Sequence, residues 1–205
     1  MASARRHRYG RGEVIFHEGD LAETIHFVAE GRVAARRTTP SGDSATFAVM
    51  GRGEAFGEMA MLSPSARRTS TVSALEPTVT LTLRYADFDR LRRAHPAVER
   101  LLVDVLAERV LGLSDRLVEA LYLPADVRVL RRLDGLCDQY GEGDDAGAVR
   151  IPLTQTEIGE LCGASRATTN RVLQALVVAR LVTLRRGGVE VPDRERLHRR
   201  AIEGQ

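Results

Sequence analysis

The stretch LTQTEIGELCGASRATTNRVLQAL, from Leu153 to Leu176, constrains the fold more than any other part of the sequence. Thr154-x-x-Glu157 has the form of a capping box, in which a hydroxyl and a carboxylate satisfy the free amides at the start of a helix. Ser165 is a preferred N-cap residue for a second helix. A turn of cysteine, glycine and alanine around Gly163 separates the two. The sequence therefore predicts a helix-turn-helix.

The second helix of this motif is amphipathic. Helical spacing places four side chains inward, namely Thr169, Val172, Leu173 and Leu176. Five face outward, namely Arg166, Ala167, Asn170, Arg171 and Gln174. Arginine fits the O6 and N7 atoms of guanine, and asparagine fits N6 and N7 of adenine. The outer face therefore favours contact with base edges in double-stranded DNA.

Two short apolar runs, LVTLRR and GVEVPD, follow the motif on either side of Gly187-Gly188 and predict a β-hairpin. Arg185 and Arg186 at its tip would lie along phosphates, so the motif has the winged form. Arginines and acids nearly balance from Asp126 onward, and a merely solvated polar face stays the alternative. The predicted DNA-contacting residues are Thr154, Thr156, Ser165, Arg166, Ala167, Thr168, Asn170, Arg171, Arg185 and Arg186.

The N-terminal part of the chain reads as short antiparallel strands joined by tight turns, because glycines separate alternating runs such as TIHFVAEGRV and ATFAVM. A β-barrel or sandwich follows. A further strand, PTVTLTLRY, precedes a short helix that Asp87 and His95-Pro96 bracket. Together with the C-terminal helices, these strands predict an α+β protein.

The segment after Pro96 predicts one long helix with a heptad-spaced apolar stripe, typical of a helix that pairs with a copy of itself. The predicted dimerisation residues are Val103, Leu106, Val110, Leu113, Leu117 and Ala120. Packing on the chain's own strands is the alternative, and Leu102 and Val105 could form that second face. Pro124 ends this helix, ADVRVLRRLDGLCDQY predicts another, and GEGDDAGAV predicts an acidic loop. We predict a sensor domain over 1–95, a dimerisation helix over 96–124 and a DNA-binding domain over 125–205.

A second informative segment, FGEMAMLSPSARRTSTV, predicts an anion pocket. Gly57-Glu58 opens a helical turn with free backbone amides, and Arg68-Thr69 returns ten residues later to face them. Glu58 beside a phosphate makes sense if it accepts hydroxyl hydrogen bonds from an attached sugar. The alternative is a Gly-rich turn closed by an ion pair between Glu58 and Arg68.

These segments together resemble the CRP/FNR family of transcription regulators over almost the whole chain, with the parts in the family's order. The resemblance implies a jelly-roll barrel of the cyclic-nucleotide-binding type, a dimer helix and a winged helix-turn-helix. It also implies that Gly57, Glu58 and Met59 form the phosphate cassette, with Glu58 on the ribose and Arg68 with Thr69 on the cyclic phosphate. Cyclic AMP is the implied effector, a near-palindromic operator the implied DNA target, and RNA polymerase an implied partner.

Two departures from the family pattern matter for specificity. The polar pair that meets adenine in cyclic-AMP-responsive members falls on Leu113 and Ser114, and leucine cannot form the hydrogen bond. A ligand-independent regulator with a locked dimer is therefore an alternative, as is a nucleotide-binding module that regulates a protein partner. Ala167 stands where members reading the catabolite-activator site have glutamate, so we expect a different half-site.

Other classes of function have little support in the sequence. No nucleophile, base and orienting residue share a motif, so we predict no catalytic residue and no enzyme. Cys137 and Cys162 lie outside metal-ligand spacing, and we predict no metal site. No apolar run is long enough to span a bilayer, and the basic opening MASARRHRYG lacks an apolar core. We expect a soluble, cytoplasmic protein with no membrane partner; its net charge of +2 alone indicates no particular partner.

Overall fold

The computed structural model describes residues 4–141 and 148–203, and the acidic part of the predicted loop, residues 142–147, lies outside them. The chain divides into two compact units, the first ending at Asp115 and the second beginning at Arg116. The strands of the first unit are β1 (Arg5–Tyr9), β2 (Val14–Phe16), β3 (Thr24–Glu30), β4 (Val33–Thr38), β5 (Ser44–Met50), β6 (Ala55–Phe56), β7 (Thr71–Ala74) and β8 (Thr78–Arg84). Its helices are α1 (Glu58–Leu62), α2 (Tyr85–Ala94) and most of α3 (Pro96–Tyr122).

Two four-stranded antiparallel sheets form the body of the first unit, in the orders β1-β8-β3-β6 and β2-β7-β4-β5. A core contributed by both sheets lies between them and contains Val28, Val33, Met50, Phe56 and Val72. The predicted β-rich domain is confirmed, although the sheets form a jelly-roll-like pair and not a closed barrel.

The run TIHFVAEGRV supplies one strand to each sheet, because the chain crosses over at Gly31. β3 pairs with β6 and β8, whereas β4 pairs with β5 and β7. Gly31 has φ 78°, and a Cβ there would lie 2.7 Å from the Thr78 hydroxyl oxygen. Only glycine accommodates both the backbone angle and this close approach.

Strand β1 lies within the basic opening MASARRHRYG, for which no strand was predicted. RRHRY pairs with β8 along one side and is the edge strand of its sheet. Four of its five residues are exposed. Its composition carries no apolar alternation, so it is tertiary pairing and not local pattern that makes this segment a strand.

Helix α3 has one face that packs on the chain's own strands and another that is exposed in a single chain. Leu102 is buried with Ile25, Leu83 and Phe88, and Leu106 packs against this cluster. Leu106, one of the predicted dimerisation residues, therefore also packs on the chain's own strands. The remaining heptad residues are exposed, namely Val103, Val110, Leu113, Leu117 and Ala120.

The second unit contains four further helices and a small sheet. These elements are α4 (Ala125–Tyr140), β9 (Val149–Ile151), α5 (Gln155–Cys162), α6 (Arg166–Val178), β10 (Thr183–Arg185), β11 (Gly188–Val191) and α7 (Arg194–Glu203). The sheet order is β10-β11-β9. Its core side chains with no measurable exposure include Leu133, Ile151, Leu153, Ile158, Leu173 and Leu197.

Three details of the second unit differ from the sequence prediction. The hairpin turn consists of Arg186 and Gly187, because Gly188 already pairs with Arg185 as the first residue of β11. Strand β9 begins at Val149, within the predicted loop. Helix α7 was not predicted, although Leu197 and Ala201 bury a helical stripe there. Of the helices described, not one combines the length and apolar character needed to span a membrane.

Candidate functional site

Gly57 prepares the predicted pocket by turning the chain from β6 into the short helix α1. It is the N-cap of α1 and has φ 86°, a left-handed conformation that favours glycine. A Cβ at this position would collide with the Arg68 guanidinium. The glycine therefore serves two purposes, since it permits the turn and leaves room for a charged side chain.

Arg68 is buried, with 6% of its surface exposed, and its terminal nitrogens already have partners. Nη1 donates to the Gly57 carbonyl and to the Tyr85 hydroxyl, both at 3.2 Å, and Nη2 donates to the Thr24 hydroxyl at 3.0 Å. The guanidinium carbon lies 4.0 Å from the centre of the Phe16 ring. Burial lowers the pKa of this guanidinium, yet arginine keeps its charge in proteins. A fixed cation therefore lies beside the free end of α1.

Glu58 has no exposed surface and forms an ion pair with Arg109 of α3. Arg109 also donates to the Ala55 carbonyl. Burial raises the pKa of the Glu58 carboxyl, and the Arg109 guanidinium partly offsets that rise. The second carboxylate oxygen, Oε2, is buried and has no hydrogen-bond partner among the residues described. Such an oxygen is an acceptor ready for a hydroxyl group.

The pocket differs from its sequence prediction in the partner of Glu58. The predicted alternative paired Glu58 with Arg68, whereas the described structure pairs it with Arg109. Sequence reasoning missed Arg109 because the residue lies more than fifty positions from Glu58. One signal was present, since Arg109 precedes Leu113 by one helical turn and shares its face.

The other predicted pocket residues lie on the surface. Met59, Thr69, Leu113 and Ser114 are all exposed. The Ser114 hydroxyl donates to the Val110 carbonyl of its own helix at 2.9 Å. In a single chain, Arg109 is thus the residue of α3 that reaches Glu58, and Leu113 and Ser114 face outward.

His26 borders the same interior and was not predicted as part of it. Its ring stacks on Phe56 with 4.9 Å between centroids, and Nε2 lies 3.2 Å from the Thr24 hydroxyl that Arg68 contacts. Burial, and then the charge of Arg68, lowers the pKa of His26 to about 3. The imidazole is therefore neutral in the folded protein near pH 7.

The helix-turn-helix has the predicted local structure. Thr154 and Glu157 form the capping box of α5, and the Ser165 hydroxyl accepts from the Thr168 amide at the start of α6. Gly159 sets how closely the two helices approach, because a Cβ there would lie 2.8 Å from the Thr169 hydroxyl oxygen. Sequence reasoning did not single out this glycine.

The outward face of α6 is as predicted, with Thr168 half-buried and Arg166, Ala167, Asn170 and Arg171 exposed. Asn170 Nδ2 donates to Gln155 Oε1 at 2.8 Å. On the wing, Arg185 Nε donates to Glu190 at 2.6 Å. A cleft of about 490 Å³ lies between these elements, lined by Thr154, Gln155, Thr156, Arg166, Arg185, Gly187 and Gly188.

The two cysteines are free and buried, and burial raises the pKa of each thiol to about 12. Thiols of this kind are unreactive. Among residues 4–141 and 148–203, no three or more His, Cys, Asp or Glu side chains are grouped so that they could hold a metal ion.

Comparison with known proteins agrees with this architecture. Residues 6–95 match the model of the cyclic nucleotide-binding domain, and residues 127–200 match that of the Crp-like helix-turn-helix domain. The chain is 37% identical over 192 residues to the cyclic AMP receptor protein of Thermus thermophilus, covering 92% of this chain and 84% of that one. It is 30% identical over 200 residues to the CRP-like cAMP-activated global transcriptional regulator of Mycobacterium tuberculosis, with coverage of 94% and 86%.

The structure of FixK2 from Bradyrhizobium japonicum superimposes with a TM-score of 0.82 at 21% identity, covering 96% of each chain, and shows the same fold. The Mycobacterium tuberculosis relative is named as a transcriptional regulator, and the Thermus thermophilus relative as a cyclic AMP receptor. The capped helices α5 and α6 lie in the region that matches the helix-turn-helix domain, and Glu58 and Arg68 lie in the region that matches the cyclic nucleotide-binding domain. The chain therefore belongs to the CRP/FNR family of DNA-binding transcription regulators.

Proposed function

We propose that this regulator is controlled by a cyclic nucleotide, with cyclic AMP as the first candidate, bound where Gly57, Glu58 and Arg68 meet. The buried, unpartnered Oε2 of Glu58 carries this proposal. A carboxylate oxygen without a partner in a dry site is costly, and a ribose hydroxyl would satisfy it. Relatives named as cAMP-activated or as a cyclic AMP receptor support the choice of nucleotide.

Arg68 supplies the charge for the cyclic phosphate in this proposal. Its present partners, a carbonyl and two hydroxyls, are neutral, and an anionic phosphate is a stronger acceptor for a guanidinium. Met59 and Thr69 flank the two charged residues and complete the proposed cassette. Leu113 and Ser114 would meet the base only if a second copy of the chain brought them to it, because both are exposed in one chain.

The functional unit in this proposal is a homodimer formed along α3. Val103, Val110, Leu113 and Leu117 remain exposed on one chain, and an apolar stripe at heptad spacing is buried when two such helices pair. The proposed domains remain 1–95 for the sensor, 96–124 for the dimerisation helix and 125–205 for DNA binding. The proposed site of action is the cytoplasm, which holds both proposed partners, the operator DNA and RNA polymerase.

DNA recognition would use α6 in the major groove and the wing along phosphates. Two copies of α6 must lie about 34 Å apart to enter successive major grooves, which requires a near-palindromic operator. Arg166 and Arg171 are the proposed guanine-reading residues, and Arg186 contacts phosphate. The proposed contact set also includes Thr154, Thr156, Ser165, Ala167, Thr168, Asn170 and Arg185.

Calorimetric titration of cyclic AMP and cyclic GMP into the purified protein tests the pocket, with operator binding measured in parallel. The wild-type protein should bind one of these two nucleotides, and its affinity for operator DNA should then increase. Arg68→Ala should abolish nucleotide binding. Arg67→Ala is the matched control, because Arg67 is exposed and donates to the Gly19 carbonyl at 2.7 Å. Equal nucleotide affinity in wild type and Arg68→Ala would contradict the proposal.

A ligand-independent regulator is the second candidate, and Leu113 favours it. Leucine replaces a polar base contact and adds apolar surface to the proposed dimer seam, where 47% of it is exposed in one chain. Such a dimer would bind DNA without an effector. Full operator affinity in nucleotide-free protein, together with no heat of nucleotide binding, would identify this form.

A further inference from the structure

A hydrogen bond on the proposed DNA-reading surface joins residues from different helices. Asn170 of α6 donates from Nδ2 to Oε1 of Gln155, the first residue of α5, at 2.8 Å. Asn170 is exposed and Gln155 is half-buried. The two residues are fifteen positions apart, so the bond exists only because the helix-turn-helix brings them together.

This bond determines what the Asn170 amide can offer to DNA. An asparagine amide has two N–H donors and one carbonyl acceptor. Gln155 takes one donor, which leaves one N–H and the oxygen Oδ1 available to a base. Adenine presents N7 as an acceptor and N6 as a donor in the major groove, so the remaining pair matches adenine.

The bond also fixes the direction of the amide. A free asparagine can rotate its terminal amide and exchange the positions of oxygen and nitrogen, which changes the pattern presented to a base. While Nδ2 donates to Gln155 Oε1, exchanging nitrogen and oxygen would place Asn170 Oδ1 against another carbonyl oxygen, which is unfavourable. One orientation, and hence one donor and acceptor pattern, is favoured before DNA arrives.

Gln155 is itself well placed to direct another side chain. It follows Thr154, the N-cap that the capping box with Glu157 secures. The contact between Gly159 and Thr169 fixes the distance between the two helices. Gln155 also lines the cleft that contains Arg166 and Arg185. Its backbone therefore belongs to the rigid part of the motif and not to a mobile loop.

We propose that Gln155 is a specificity-determining residue, which acts by orienting Asn170 to read an adenine in each operator half-site. Gln155 is a positioning residue in this role, because it acts through Asn170. The proposal rests on the proposed docking of α6 in the major groove. It assigns an adenine preference to a pair of residues that are close only in the folded protein.

Operator selection from a random duplex library tests the pair. Wild type should select a half-site with one adenine position that depends on Asn170. Asn170→Ala should reduce the preference for adenine there by about tenfold or more. Gln155→Ala should reduce it by at least about threefold, and the double variant should lose no more than Asn170→Ala alone, since the two residues act as a unit.

Two further variants separate orientation from other effects. Gln155→Glu keeps an acceptor for Nδ2, so it should retain the adenine preference while weakening binding to every sequence through charge repulsion with phosphates. Gln139→Ala is the matched control, because Gln139 is an exposed glutamine of α4 outside the motif. It should change neither preference nor affinity.

Different failures have different meanings. If Gln155→Ala weakens binding to all sequences equally and leaves the adenine preference intact, Gln155 only contacts the phosphate backbone of the DNA, and the inference is overturned. The same holds if Asn170→Ala leaves every base preference unchanged. A wild-type protein that selects no common half-site overturns the proposed docking of α6 and this inference with it.

Discussion

The pocket around Glu58 and the outer face of α6 both contain functionally important arginines, but the surroundings of these side chains differ. In the pocket, the buried Arg68 and the half-buried Arg109 are held by contacts between distant segments. On α6, Arg166 and Arg171 are exposed on a helix whose caps lie within the motif itself. A change in the pocket should therefore affect folding and binding together, whereas a change on the outer face should affect DNA binding alone.

The largest expected effect tests that contrast directly. Arg109→Ala leaves Glu58 buried without its cation and should lower the free energy of unfolding of the first unit by about 3 kcal/mol. Hydrogen exchange measured peptide by peptide reports the loss. Arg171→Ala is the matched exposed change and should stay within about 0.5 kcal/mol of wild type, while it relaxes base preference in operator selection.

A second variant keeps this prediction specific to charge. Adding Glu58→Gln to Arg109→Ala removes the uncompensated carboxylate and should recover part of the lost stability. If the double variant is no more stable than Arg109→Ala, the loss comes from packing and not from the ion pair. Destabilisation by Arg171→Ala of the same size as by Arg109→Ala would remove the contrast between the two regions.

Acid should weaken the pocket region through His26. Burial lowers the pKa of His26 to about 3 from 6.5, so the unfolded chain binds more protons between those values. The contribution of neutral His26 to the free energy of unfolding is fully present above about pH 6.5 and is lost as the pH drops toward 3. At pH 5 the loss is about 2 kcal/mol. Urea unfolding at pH 7 and pH 5 measures it. His26→Gln should reduce the difference in stability between pH 7 and pH 5, and an unchanged difference would show that other groups cause it.

Two glycines in helices of the second unit differ in how close the neighbouring atoms lie. Gly159→Ala places a methyl group 2.8 Å from the Thr169 hydroxyl oxygen and should cost about 1.5 kcal/mol. Gly135→Ala, in α4, meets nothing within 4 Å and should gain about 0.7 kcal/mol from helix propensity. Thermal unfolding of both variants measures the difference. Equal shifts in the same direction would show that the close approach of α5 and α6 is not what requires Gly159.

The smallest expected effect lies at the end of α6. Arg180 has φ 56°, and Leu181 donates to the Leu176 carbonyl at 2.9 Å, the arrangement of a helix end that favours glycine. Arg180→Gly should add about 0.5 kcal/mol to the free energy of unfolding. Urea unfolding is precise enough to detect it only in paired measurements. A loss of stability would indicate that the arginine side chain contributes contacts that outweigh the backbone gain.

The same difference between the regions explains what could be predicted from sequence. The caps Thr154 and Ser165 and the outward placement of Asn170 follow from spacing within a few residues, and the structure has them as predicted. Arg109 and His26 could not be found in this way, because their partners are contributed by other strands and helices. Strand β1 and helix α7 were missed for a related reason, since neither has a local pattern strong enough to compete with its polar composition.

The basic edge strand β1 has a consequence for how copies of this protein behave in concentrated solution. An uncovered strand edge is a template on which another chain can add by backbone pairing. Arg5 and Arg8 lie exposed along this edge, so two such edges repel each other before their backbones can meet. Concentrated salt screens that repulsion, and the tendency to form intermolecular sheet should therefore rise with ionic strength.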